Sequence, residues 1–289
     1  MRHAQRRRER ERAAPEPEPP RQAAAVSWVV QLQRSAGNRA VGRLLRAPAG
    51  ITVHSGSTLS AADFAAKLKK NKKVPDWIRQ SAGSSGASLT MGKLTPPSGR
   101  IWLFDDALTA AFRSGNWELT TAKSKIEVKD DGGERKWRQI VTPDLAKGER
   151  IGFYMKTGPD EMTFSPTPLH SESAEVIYGW TQPDTATNKR QEKKGLVVIV
   201  TAIEVVRPDG KRKVFKPGPD VMAEAIIHEI GIHAGRIAMG RPDVHSDTDS
   251  SVADVVEQIG GFFRRERTGG GLEKSPLTLE IFAFVDGGK

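Results

Sequence analysis

The sequence predicts an α+β fold with a mixed sheet, in which a long helix follows directly on a β-hairpin. Three stretches carry that expectation. Residues 195–206, GLVVIVTAIEVV, are continuously apolar at first and then alternate, the pattern of a strand buried on both faces at one end and on one face at the other. Pro208, Asp209 and Gly210 supply turn chemistry before a second basic and apolar run, so the chain returns antiparallel. Pro217, Pro219 and Asp220 then open a segment rich in Ala, Ile and Met whose helical run ends at Gly240, with Pro242 beyond it.

From the N-terminus, residues 1–25 combine an Arg/Glu run with Pro–Glu alternation and hold nothing that builds a core, so a disordered basic tail is expected. Residues 26–48 follow as a short helical leader. Trp28, Val29, Leu32, Val41, Leu44 and Leu45 give two amphipathic turns around Gly37 and Asn38, and Pro48 and Gly50 close the segment. Residues 51–289 read as one mixed domain. Within it ADFAAKLKK is a short helix, and Pro96, Pro97 and Gly99 mark a loop before the apolar run IWLF. Residues 136–180 alternate strand-like pieces, RQIVT, IGFYMK and AEVIYGW, with Gly and Pro between them. SAGSSGAS at 81–88 and TGGGLEKS near residue 270 lack the spacing of a nucleophile elbow or a phosphate loop and read as flexible loops.

Composition narrows the chemistry. The 289 residues contain no cysteine, which excludes disulfides and thiolate ligands or nucleophiles, so any metal must be held by His, Asp and Glu. The net charge of +10 is unevenly spread: eleven Arg against four Glu place +7 in residues 1–46 and leave +3 for all the rest. The main domain therefore has no electrostatic footprint for gripping nucleic acid. No run of about 18 apolar residues exists to span a bilayer, and the basic start has no apolar region or small-residue cleavage site behind it. A soluble chain without a membrane span or secretory signal is expected.

The leader LQRSAGNRAVGRLL, residues 32–45, resembles the segment near the N-termini of bacterial proteins associated with extracellular contractile injection systems. Gln33, Arg34, Gly37, Asn38, Arg39, Ala40 and Val41 carry the likeness. The resemblance implies a cargo or effector made in the bacterial cytoplasm, loaded into a phage-tail-like particle through its leader and delivered to a target cell, with an immunity protein as a possible partner. It implies nothing about chemistry.

The chemistry lies in His228, Glu229, Ile230, Gly231, Ile232 and His233. Zinc binds neutral imidazoles held on one face, and a glutamate beside the metal's water can take its proton. The usual HExxH spacing of four puts both rings on one side of a helix. A spacing of five sets them about 140° apart on a regular α-helix. A one-residue π-bulge would bring them back together, and Gly231 would make such a distortion cheaper.

The segment is similar to the HExxGH motif of the dipeptidyl peptidase III family, a zincin variant with the same extra residue, although the Gly is displaced here and that family's downstream acidic ligand motif is missing. The resemblance covers six residues. It implies His228 and His233 as metal ligands, Glu229 as the catalytic base, and a zincin-like site helix.

A third ligand is needed, with one position left open. His245, twelve residues past His233 and beyond the turn at Gly240 and Pro242, is the first choice. Asp247 and Asp249 are alternatives or orienting partners, and Glu257, on the amphipathic stretch SSVADVVEQIGGFF, is the rival. Arg236, Tyr154 and Tyr178 are candidates for stabilising an oxyanion, while His170 with Ser171 and Glu172 has no reading. The expectation is a zinc-dependent metallopeptidase acting on a protein or peptide substrate. The alternatives are a metal-dependent hydrolase of another substrate, a cell-wall amide or a nucleic acid, and a non-enzymatic component of the same particle.

Overall fold

A computed structural model describes residues 50–71, 74, 76–92, 103–151, 158, 160–164, 167–169, 174–183, 194–241, 267–268, 271–272 and 275–287. The chain divides into Met1–Ala47 and Pro48–Lys289, and the described residues belong to the second unit. The basic tail, the leader, most of IGFYMK and His170 lie outside the described residues.

Strand β1 (Gly50–Val53) leads to helix α1 (Ala61–Lys70), the short α2 (Asp76–Ser81) and the hairpin of β2 (Ala82–Ser85) and β3 (Ser88–Met91). Helix α1 starts where the sequence places it because Ser60 and Asp63 form a reciprocal capping box. Helix α3 (Leu103–Ser114) precedes the long strands β4 (Trp117–Asp131) and β5 (Glu134–Pro143). Then come the two-residue strands β6 (Met162–Thr163) and β7 (Thr167–Pro168), followed by β8 (Gly179–Gln182), β9 (Gly195–Val206) and β10 (Arg212–Phe215). After α4 (Pro219–His228) the helix widens into a π-helical segment, Glu229–Ala234, before α5 (Gly235–Ala238). The pair β11 (Arg267–Thr268) and β12 (Gly271–Leu272) and the last helix α6 (Pro276–Asp286) complete the described elements.

The main sheet is mixed and open. Its strand order is β10-β9-β4-β1-β3-β2, with β5 beside β4 and β8 beside β9. Strand β4 runs parallel to both β1 and β9, and the remaining pairs are antiparallel. Strand β9 explains its own sequence. Val197 and Ile199 face the core shared with α1 to α4, while Leu196, Val198 and Val200 face the core shared with α6. Both faces are therefore apolar at that end, and beyond it Ile203 and Val205 alone are buried, which gives the alternation. The register of β4 with β9 shifts after Ala122, where the extra residue Thr201 donates its hydroxyl to the Ala122 carbonyl.

Several expectations are corrected. SAGSSGAS is no loop: it supplies β2, a tight turn at Gly86 (φ +57°) and the start of β3. TGGGLEKS contributes to the β11–β12 pair and to Ser275, whose hydroxyl accepts from the Thr278 N–H and caps α6. The apolar run IWLF, given no element by its sequence, ends in a helix, since Leu103 and Phe104 open α3. Of AEVIYGW only Gly179 and Trp180 are in a strand; the preceding segment is tied to β5 by Gln139, which accepts from the Ile177 N–H and donates to its carbonyl. Among the described residues no helix is long and apolar enough to cross a membrane.

Candidate metal centre

The helix that carries the two histidines begins, as its sequence predicts, with Pro219 at its first turn, where a missing N–H costs nothing. Asn71 from the end of α1 donates its side-chain amide to the Asp220 carbonyl and ties that turn to the domain. Met222, Ala223, Ile226 and Ile227 bury the helix against β9 and α1. Val221, Glu224 and His228 share the less buried side, so the helix is amphipathic and carries the first histidine on its open edge.

At Glu229 the hydrogen-bond ladder changes. The Glu229 N–H still reaches the Ala225 and Ile226 carbonyls, but the Gly235 N–H goes to Ile230, five residues back. The backbone stays in the right-handed helical region at His228 (φ −59°, ψ −53°), Glu229 (φ −64°, ψ −40°) and Gly235 (φ −65°, ψ −44°). One wide turn absorbs one residue, about 100°, and cuts the offset between the histidines from about 140° to about 40°. Their ring centroids are 5.3 Å apart and the planes inclined at 57°. The ligand atoms of His228, Glu229 and His233 all lie within 4.8 Å of one another, so this group could hold a metal ion.

What fixes the wide turn lies on either side of it. Gly235 packs against α3 so closely that a Cβ there would sit 2.4 Å from the Ala107 carbonyl oxygen. The glycine that matters for packing is thus Gly235, just beyond the motif, a position the sequence reading did not single out. On the other side, β8 lies alongside. Thr181 donates its hydroxyl to Glu229 Oε2 at 2.7 Å and stands 3.3 Å from the Glu229 carbonyl oxygen. Two residues earlier on the same face, a Cβ on Gly179 would approach Glu229 Cγ to 2.8 Å and Oε1 to 3.0 Å. Glu229 is 5 % exposed, whereas the His233 side chain keeps 17 % of its surface open. His233 Nε2 is 4.0 Å from Glu229 Oε2.

The other residues singled out in the sequence fare differently. His245, Asp247, Asp249, Glu257 and Tyr154 lie outside the described residues. Arg236 is 2 % exposed, a cation buried on the helix three residues past His233. Tyr178 directs its hydroxyl to Thr278 (2.8 Å) and Ser275 (3.3 Å), so it braces the start of α6. Gly179 and Thr181 were missed because only their two-residue spacing hints at a shared face, and nothing in that pattern points to a helix 48 residues away.

Fold and site together define a mixed α and β protein with a His–Glu–His group on a π-helical turn. No protein-family model matches the chain, and no curated protein or solved structure matches it either.

Proposed function

We propose that this chain is a zinc-dependent metallohydrolase that cleaves peptide bonds, with His228 and His233 holding the ion and Glu229 acting as base. The observation that supports the reading is the π-helical turn, which brings together two histidines that a regular helix would separate. Two imidazoles beside a carboxylate are a donor set suited to zinc. When bound, zinc supplies a Lewis acid for the scissile carbonyl and makes a water easier to deprotonate. Glu229 takes that proton at its carboxylate and returns it to the leaving amine. Its burial keeps competing bulk water away from the oxygen that does this. His245 is proposed as third ligand, with Glu257 and Asp247 as alternatives.

Delivery as cargo of a contractile injection particle belongs to the same proposal and is supported by the likeness of residues 32–45 alone. Retention of full-length protein in purified particles, and its loss on deleting residues 1–48, is the expected result for that part.

The decisive test of the chemistry is metal analysis of the full chain beside His233→Ala, His245→Ala and Glu257→Ala. About one zinc per chain is expected, lost in the His233 variant and in one of the other two. Protein that holds no zinc and takes none up would overturn the metallohydrolase reading. A screen over peptides, cell-wall amides and nucleic acid then separates the peptidase from other hydrolases.

A further inference from the structure

Strand β8 contributes a buried hydroxyl to the candidate centre that packing alone does not call for. Valine has the shape of threonine, and at a site needing only volume it would avoid burying a polar group. Both hydrogen-bonding contacts of the Thr181 hydroxyl fall on Glu229, the short one at 2.7 Å on Oε2 and the longer, 3.3 Å, on the backbone carbonyl. Gly179, on the same face of the strand, leaves the space that the carboxylate fills.

The oxygen held by Thr181 is also the one 4.0 Å from His233 Nε2. An ion with tetrahedral angles and ligand distances of about 2.0–2.1 Å keeps its donors about 3.3–3.4 Å apart. A separation of 4.0 Å is wider than that, and two bonds of such length would span it only in a nearly straight line.

We infer that Thr181 is the positioning residue of this site: its hydroxyl, donated to Glu229 Oε2, holds the carboxylate back as a base and keeps it from closing in as a metal ligand. The inference rests on the proposed metallohydrolase reading. Without the hydroxyl, the carboxylate loses the bond that holds Oε2 at its present distance from His233. Metal is then retained while turnover falls.

The test compares wild type, Thr181→Val and Thr181→Ser as full-length protein in three measurements: zinc dissociation by chelator competition, cleavage of a mixed fluorescence-quenched peptide library, and thermal unfolding. Thr181→Val is expected to bind zinc at least as tightly as wild type, with kcat lower by about 10–100-fold and KM little changed. Thr181→Ser restores most of the rate because it returns the hydroxyl. A double-mutant cycle with Glu229→Met reads the contact independently of metal and substrate: Thr181→Val should lower the unfolding midpoint in the wild-type background but not in the Glu229→Met background. Equal midpoint shifts in both backgrounds would overturn the inference. So would zinc loss in the valine variant, or a serine variant as slow as the valine one. Wild-type protein that takes up no zinc is a different failure, that of the metallohydrolase reading, and the cycle still reports whether Thr181 holds Glu229.

Discussion

Two glycines fix the candidate centre at the scale of single residues, by what they lack. A Cβ at 179 would meet Glu229 Cγ at 2.8 Å, and one at 235 would meet the Ala107 backbone at 2.4 Å. The first neighbour is a side chain that can turn away; the second is main chain that cannot. Gly179→Ala should therefore misplace the carboxylate while the fold survives. On the proposed peptidase reading, a fall in rate of about 10–100-fold is expected with an unchanged circular dichroism spectrum, measured on whichever peptide the library screen yields. Gly235→Ala should act on stability instead, since α3 and the site helix must separate. A loss of about 1–3 kcal/mol is expected, read from urea unfolding midpoints.

At the scale of the element, the π-helical turn reconciles two demands on one helix. The histidines, five residues apart, must share a face, and the residues after them must keep Gly235 against α3 and Arg236 buried. Deleting Ile230 probes how the two are joined. The deletion leaves a four-residue spacing, about 40° on a regular α-helix, so the wide turn can relax to an ordinary one with everything downstream in its present register. Gly235 then stays against Ala107 and Arg236 stays buried, and the cost is that of the lost Ile230 side chain, itself buried. The variant should lose about 2–5 kcal/mol in urea unfolding while remaining folded. Failure to fold at all would mean that the downstream packing depends on the wide turn itself.

Across the whole molecule, the solvent face of the long β4–β5 ladder couples stability to pH. Lys125 and Arg138 both bond Glu127 and hold its carboxyl below the ordinary value of 4.5, the lysine hydrogen bond being the larger cause. Lys136 does the same for Asp131, whose ordinary value is 3.8. A carboxylate depressed in the folded state binds its proton more readily when unfolded, so its contribution is complete above the unfolded value and drains as pH falls through the folded one. The protein should therefore lose stability below about pH 4.5. Arg138→Met should flatten that acid slope in urea midpoints taken between about pH 5 and pH 3, and added salt should do so in part.

Legible along the chain alone were the strand at 195–206, the hairpin after it, the proline-opened helix, and the need for one extra residue of helical turn between His228 and His233. Each of these is written in local spacing. A period of two or 3.6, a turn triplet and a five-residue interval all report backbone geometry within a few residues of where they stand. Folding was needed to show that SAGSSGAS pairs as a hairpin, that Gly235 meets Ala107, and that Gly179 and Thr181 cradle Glu229. The hairpin is local but its small polar residues carry no strand period, whereas the other two contacts join segments far apart in the chain; Gly179 and Thr181 reach Glu229 because β8 pairs with β9 and the site helix packs over β9. Periodicity fixes which way a side chain points, and packing between distant segments fixes what it meets.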